Sequence, residues 1–293
     1  MKFRILHSTR YEYEESIPLS HNVVMMRPRD FSLQTCLRHE LHVMPAPAVR
    51  TVGIDYFGNH ITWFSLQKSH TVLRIAAESE VQVNPAIRPD LSQGISWEDV
   101  LQILPVPHDV QTLAARQFSF ESGHVPVSAE LAEYARPSFI PGAPLLECVL
   151  DLTERIYHEF EFLPGSTGVG TPVMDVLHSR QGVCQDFAHL QIGCLRSMGF
   201  AARYVSGYVA TYPPPGQSRL AGADASHAWV SVYAPEVGWV DFDPTNGLMP
   251  SDAHVTVAWG RDYDDVGPAK GILIGGRRHY MDVAVDVIPV EEP

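Results

Sequence analysis

From residue 1 to about 90, apolar and polar positions alternate with a period of two, as in Thr9-Arg10-Tyr11-Glu12-Tyr13 and Leu37-Arg38-His39-Glu40-Leu41-His42-Val43. That period predicts strands with one buried face. Pro28, Pro45, Pro47, the stretch Asp55-Tyr56-Phe57-Gly58-Asn59 and the pair Asn84-Pro85 punctuate these runs. The intervals suit a β-sandwich of short antiparallel strands. Between about 95 and 160 the period lengthens to three and four, which predicts helices over 97–104, 128–134 and 145–157, with Ser96 and Ser128 placed as N-caps. Thr171 followed by Pro172 predicts a short helix through Leu177 in cap-then-proline order. Gly182 then breaks the chain before a further helix that sets Phe187, Leu190, Cys194, Leu195 and Met198 on one face and stops at Gly199. Strand patterns follow at 203–210, 227–233 and 239–243, and return in the tail, as in Met281-Asp282-Val283-Ala284-Val285-Asp286-Val287. The fold class is therefore α+β. An N-terminal antiparallel β-sandwich-like domain (1–90) precedes a core of helices and antiparallel sheet (91–250) and a C-terminal β extension (251–293). The Pro-rich and small-residue stretch 213–223 is expected to be an exposed loop near any site built by the strands around it.

Of the 293 residues 45% are hydrophobic and 19% charged, enough to bury one large core or two modest ones. No run of about eighteen apolar residues offers a membrane span. The opening Met1-Lys2-Phe3-Arg4-Ile5-Leu6-His7 turns polar too early for a signal peptide, so a cytoplasmic location is expected. Cys36, Cys148, Cys184 and Cys194 are too few and scattered for a secreted disulfide framework, and reduced thiols are expected. The formal charge of −13, with no local cluster of Lys and Arg, argues against a nucleic-acid partner. Asp262-Tyr263-Asp264-Asp265 reads as a solvated turn, with a cation site as the lesser alternative. None of the fourteen histidines falls in a metal-ligand spacing, and His189, five positions after Cys184, lacks the regularity of a zinc pair, so neither metal nor cofactor is expected. The pattern leaves oligomeric state open.

The candidate chemistry lies in three segments. Cys184 stands at the start of a helix, in Gly182-Val183-Cys184-Gln185-Asp186-Phe187, where a thiolate is favoured by the helix N-terminus and by any neighbouring imidazolium. The plain alternative is a buried small hydrophobe, against which stand Gly182 before it and the polar pair Gln185 and Asp186 after it. Cys36, Cys148 and Cys194 read as packing residues. In the strand that opens at His227, residues 227, 229, 231 and 233 share one face, and in the next strand Trp239, Asp241 and Asp243 share another. The segment Ala234-Pro235-Glu236-Val237-Gly238 between them is hairpin-sized. Any antiparallel register that joins the apolar faces sets Asp243 opposite His227 or Trp229, roughly 5 to 8 Å from the imidazole at Cβ. On its own His227 could be a strand-start polar residue and Asp243 a turn residue, and Asp241 competes for the same role; Asp243 is preferred. Asp186 reads as a helix N-terminal carboxylate and Trp229 and Trp239 as site walls or packing, while Arg203 and Tyr208 carry no assignment.

These segments resemble the transglutaminase-like superfamily, through Gly182-Val183-Cys184-Gln185-Asp186-Phe187-Ala188-His189, Ser226-His227-Ala228-Trp229 and Gly238-Trp239-Val240-Asp241-Phe242-Asp243-Pro244-Thr245-Asn246. The opening His7-Ser8-Thr9-Arg10-Tyr11-Glu12-Tyr13, with Met26-Arg27-Pro28-Arg29, is similar to the β-rich region that precedes this core in bacterial proteins. The resemblance implies a papain-like core in which Cys184, His227 and Asp243 form a catalytic triad, and it resolves Asp241 against Asp243 in favour of Asp243. It implies a cysteine amide or peptide hydrolase working through a thioester, with a peptide or amide as partner. Protein-glutamine acyl transfer is the close alternative, and a non-catalytic binding or scaffold protein on the same fold the distant one.

Overall fold

Strands β1 (Lys2–Ile17), β2 (Leu19–Val24), β3 (Gln34–Met44), β4 (Val49–Ile54), β5 (His60–Leu66) and β6 (His70–Val83) open the chain in the computed structural model, which describes residues 1–85, 89–211, 226–276 and 278–290. Helices follow as α1 (Trp97–Ile103), α2 (Val110–Arg116), α3 (Ala129–Ala135) and α4 (Leu145–Glu159). The two-residue strands β7 (Glu161–Phe162) and β8 (Gln181–Gly182) pair in parallel on either side of α5 (Val173–Ser179). Then come α6 (Cys184–Ser197), β9 (Ala202–Val209), β10 (Ser226–Ala234), β11 (Gly238–Phe242), β12 (His254–Gly260), the short α7 (Tyr263–Val266), β13 (Ala269–Ile274) and β14 (His279–Val290).

Two antiparallel four-stranded sheets, in orders β14-β1-β6-β3 and β13-β2-β5-β4, make the sandwich. Tyr13, Ile17, Leu73 and Ile75 of the first meet Val24, Phe64 and Leu66 of the second in a buried cluster. β1 and β6 run to 16 and 14 residues, longer than the sequence punctuation suggested. Their far ends, with Phe3, Ile5, Val81 and Val83, join Val285 and Val287 of β14 in the larger core that also holds the helices. The tail is thus divided: β12 extends the core sheet, whose order is β11-β10-β9-β12, while β13 and β14 edge the two sandwich sheets. Hydrogen-bonded pairing therefore crosses the boundary expected at residue 250.

Ser96 Oγ accepts from Asp99 N and Ser128 Oγ from Leu131 N, so both act as N-caps. Thr171 does not cap α5. Its hydroxyl accepts from Gly168 N, Pro172 occupies the cap position, and the helix runs from Val173 to Ser179. Helix α2, which the sequence pattern did not single out, starts at Asp109, whose carboxylate accepts from Thr112 N. The largest departure concerns α6. A single apolar stripe was expected, yet every residue from Asp186 to Arg196 is buried, because α3, α5, β9 and β10 pack around the helix. Each fully buried Leu or Ile here stabilises the fold by roughly 1.5–3 kcal/mol. The buried Arg196 guanidinium donates to Phe118 O, Ala202 O, Ser122 Oγ and Arg261 O, which makes its burial tolerable. Gly199, at φ +97°, ends the helix as expected.

The acidic run 262–265 is not a solvated turn. Asp262 is buried, caps α7 through Asp264 N and accepts from His124 N. Among the described residues no helix is long and apolar enough to cross a membrane. The Pro-rich segment 213–223 lies outside the described residues.

Candidate active site

One end of the core sheet gathers the functional groups, and the strand order explains why. β10 and β12 flank β9 and both run antiparallel to it, so their first residues lie at the same end, where β11 also finishes. His227 near the start of β10, Asp243 just beyond β11 and His254 at the start of β12 are therefore brought together although far apart in sequence. The hairpin ladder aligns Val230 with Phe242 and Val232 with Val240. One further step sets Asp243 beside Trp229 and diagonal to His227, one of the two registers the alternation allowed.

His227 Nε2 lies 2.7 Å from Asp243 Oδ2. Asp243 is fully buried and accepts a second imidazole, His254 Nε2, at 3.1 Å. Asn246 Nδ2 donates to Oδ2 at 2.7 Å, and the backbone N–H groups of Thr245 and Asn246 donate to Oδ1 at 3.0 and 3.2 Å. Burial alone would raise the Asp243 carboxyl; the donors, led by His227 and then His254, overcome it and hold the group well below the usual carboxylate range. Asn246 Nδ2 lies 3.4 Å from His227 Nε2, and the Cys184 sulfur, lining the cleft with the ring, is its further electrostatic partner. Burial pulls the His227 pKa down, but the hydrogen bonds to Asp243 and then Cys184, with their negative charges, outweigh it and push the group up to about 10. Asp241 turns to a different partner and accepts from Trp229 Nε1 at 2.9 Å.

Cys184 enters this arrangement from the first turn of α6. Gly182 makes the approach possible, since a Cβ there would lie 2.9 Å from Asp186 Cβ and 3.2 Å from the Phe187 ring. The Asp186 carboxylate accepts from Val183 N at 2.8 Å and from the Thr167 hydroxyl at 2.5 Å, tying down the helix start as the sequence suggested. All four cysteines are free. Burial pushes the thiol of Cys148 up to about 11 and that of Cys194 higher still, as suits packing residues, and the half-buried Cys36 is also raised by burial.

Cys184 and His227 open into a cleft of about 270 Å³. One wall is core, with Tyr204, Ser206 and Gln185; the opposite wall comes from the sandwich, with His7, Thr9 and Tyr11 of β1 and Met281 and Val283 of β14. Along β1 the inward positions change from Phe3 and Ile5 to His7 and Thr9 where the strand passes this cleft. His7 is buried, bonds Tyr208 Oη through Nδ1 at 2.8 Å, and is pushed down to about 4 by burial. Neither His7 nor His254 was singled out from sequence; a histidine at an inward position of an otherwise apolar alternation was the available signal for His7. His189 is buried, accepts from Tyr263 N at 3.1 Å and stacks on His124. Burial, then repulsion from His124, lowers it to about 3, so it packs as a neutral ring. The described residues contain one group with the spacing of metal ligands, His227, Asp243 and His254. Both imidazole Nε2 atoms in it already point at the same carboxylate oxygen.

The bacterial transglutaminase-like N-terminal region matches residues 3–82 and the transglutaminase-like superfamily core residues 139–244. The uncharacterized protein Rv2569c of Mycobacterium tuberculosis is 39% identical over 99% of this chain and 93% of its own length. The uncharacterized protein ML0607 of Mycobacterium leprae is 32% identical over 98% of both chains. A protein-glutamine gamma-glutamyltransferase of Pseudomonas aeruginosa is 33% identical over 106 residues, which are 35% of this chain and 16% of that protein. Among solved structures, "a Putative Cysteine Protease from Cytophaga hutchinsonii" superposes with a TM-score of 0.75 at 24% identity, over all of this chain and 92% of that one, and so shares its fold. With both regions matched in order and relatives aligned along nearly its whole length, the chain belongs to the transglutaminase-like superfamily and carries the bacterial N-terminal region ahead of its core.

Proposed function

We propose that the protein is a cysteine-dependent amide or peptide hydrolase in which Cys184 is the nucleophile, His227 the acid and base, and Asp243 the orienting carboxylate. The observation that carries this reading is that His227, bonded at 2.7 Å to a buried and multiply bonded Asp243, opens with Cys184 into one cleft. With Nε2 committed to Asp243, Nδ1 is the nitrogen left to face the sulfur. The proton then resides on the ring, the sulfur is an anion, and the two stabilise each other.

The thiolate attacks the carbonyl carbon and forms the C–S bond. The tetrahedral intermediate expels the amine, which takes the proton from His227 Nδ1 and leaves a thioester. His227 next removes a proton from water, the resulting hydroxide breaks the thioester, and carboxylic acid and thiolate separate. The Cys184 N–H, in the first turn of α6, has no acceptor inside the helix and faces the developing oxyanion. Tyr204, lining the same cleft, is kept protonated by burial and by the negative charge of Cys184, so its hydroxyl is a second available donor. The sandwich wall of the cleft supports a role for β1 and β14 in choosing the acyl group.

An amine in place of water would make the reaction acyl transfer, and the similarity to the Pseudomonas gamma-glutamyltransferase favours keeping that second reading. Profiling peptide and carboxamide libraries with wild type and Cys184→Ala, scoring ammonia release beside incorporation of a labelled primary amine, tests both. Turnover that disappears in Cys184→Ala, with ammonia exceeding amine incorporation, is the expected result. Turnover unchanged in Cys184→Ala would end the proposal, and incorporation exceeding ammonia would replace hydrolysis with transfer.

A further inference from the structure

A second and larger cavity, of about 690 Å³, lies between the segment Phe31–Gln34 of the sandwich and the face of the core sheet that carries Trp229, Asp241 and His254. That volume is typical of small-molecule sites. Three of the five tryptophans, Trp229, Trp239 and Trp259, line it together with Arg203. The Arg203 guanidinium lies between two indoles, with its central carbon 4.1 Å from the Trp239 ring centre and 3.9 Å from that of Trp259. Arg29 sits 3.5 Å from the same Trp259 centre. Two guanidinium groups cannot both stack this closely on one face without overlapping, so they lie on opposite faces of the indole.

Arg203 is 9% exposed. Its Nε has no hydrogen-bond partner, and no carboxylate lies within ion-pairing distance of it among the described residues. Arg196, also buried in the same domain, shows what a structural arginine requires, since its donors meet three backbone carbonyls and a hydroxyl. The nearest opposite charge, Asp241, feels Arg203 only through space and spends Oδ2 on Trp229 Nε1. A planar cation with a fork of donors, clamped flat at the edge of an indole-walled cavity, is the arrangement that recognises a carboxylate carried on an apolar body.

We infer that this cavity is a binding site for a carboxylate-bearing ligand with a flat or aliphatic apolar body, held by the Arg203 guanidinium and enclosed by Trp229, Trp239 and Trp259. Burial, offset in part by Asp241, lowers Arg203 to about 9, so the group still carries its charge near neutral pH, and an incoming carboxylate relieves that burial. A free carboxylic acid and the C-terminus of a peptide present the same chemistry.

Quenching of tryptophan fluorescence in the full chain reads occupancy without using the thiol chemistry, and the measurement is made equally on Cys184→Ala. Phenylacetate should quench saturably, in the millimolar range expected of a ligand of about ten heavy atoms. Phenylacetamide, its neutral twin, should bind at least tenfold more weakly. Arg203→Lys, which keeps the charge and loses the fork, should weaken phenylacetate about tenfold, and Arg203→Met should remove the saturable signal. Asp241→Asn should strengthen it severalfold by removing the one like charge in the wall. Tighter binding of N-acetylphenylalanine supports a peptide C-terminus as the occupant, and tighter binding of phenylacetate a free acid. Equal quenching by acid and amide in wild type, an effect that does not saturate, or a signal retained in Arg203→Met overturns the inference; the acid and amide comparison stands even if the Arg203 variants fail to fold.

Discussion

Two buried charges lie on the same face of one four-stranded sheet, Asp243 at its end and Arg203 further along, and they are treated in opposite ways. Asp243 is surrounded by donors from two imidazoles, a carboxamide and two backbone N–H groups. Arg203 is stacked between two indoles, and its Nε donates no hydrogen bond. Removing an ion from water costs several kcal/mol unless partners replace the lost solvation. The fold supplies those partners in full for Asp243 and leaves them incomplete for Arg203. The first arrangement holds a geometry, and the second leaves a donor available to the carboxylate ligand inferred above.

The comparison breaks most sharply at Asp243. Asp243→Asn keeps the shape and removes the charge, and kcat is expected to fall about a thousandfold to ten-thousandfold, the size of effect seen for orienting carboxylates in triads. It should also change the pH profile. With His227 raised to about 10, its proton stays in place below that pH and leaves above it, so wild-type activity should decline as pH rises through that region. Without the carboxylate charge the alkaline limb should move down by about one to two pH units. An unmoved limb would show that Asp243 does not hold the proton.

His254 is the next test. It shares Asp243 Oδ2 with His227, so it is a positioning residue one step removed from the sulfur. Loss of one hydrogen bond to a charged group is worth roughly 1.5–3 kcal/mol. His254→Gln should lower kcat about tenfold to a hundredfold with little change in KM, and shift the alkaline limb upward, because Asp243 then acts on His227 alone. A purely structural role would leave the limb where it is.

Gly207, on β9, lies under the Trp229 ring where it reaches toward His254. A Cβ there would lie 2.1 Å from Val255 O and 2.6 Å from the Trp229 indole, so the absent side chain is what lets that ring cross β9 to meet His254. Gly207→Ala should destabilise by about 1–3 kcal/mol in urea unfolding. An unchanged midpoint would mean that the strand yields freely. The smallest effect is expected at Arg203→Met. The lost cation–π contacts are offset by no longer burying an incompletely bonded charge, and stability should stay within about 1 kcal/mol of wild type. A loss of several kcal/mol would make Arg203 a structural group like Arg196.

Much of the candidate site was legible because it is local. Period-two alternation in β10 and β11, with a hairpin-sized link, sets Asp243 near His227 in either permitted register, and Gly182 with its polar neighbours marks an open helix start. What the sequence could not show depends on strands that meet from distant parts of the chain. His254 joins Asp243 because β12 lies on the far side of β9, and His7 reaches the cleft because β1 packs beside it. The single stripe expected of α6 failed for the same reason, since elements on every side bury a helix that its own pattern marks as one-faced. Thr171 misled through chemistry alone, its hydroxyl being taken by Gly168.

The central claim is that the Cys184 sulfur is an anion sustained by His227. The most direct measurement is the rate at which iodoacetamide alkylates each cysteine near pH 7, resolved by peptide mass, in wild type and His227→Gln. Cys184 should react fastest of the four and slow at least tenfold in the variant. Alkylation of Cys184 no faster than that of Cys36, or a rate indifferent to His227, would contradict the account.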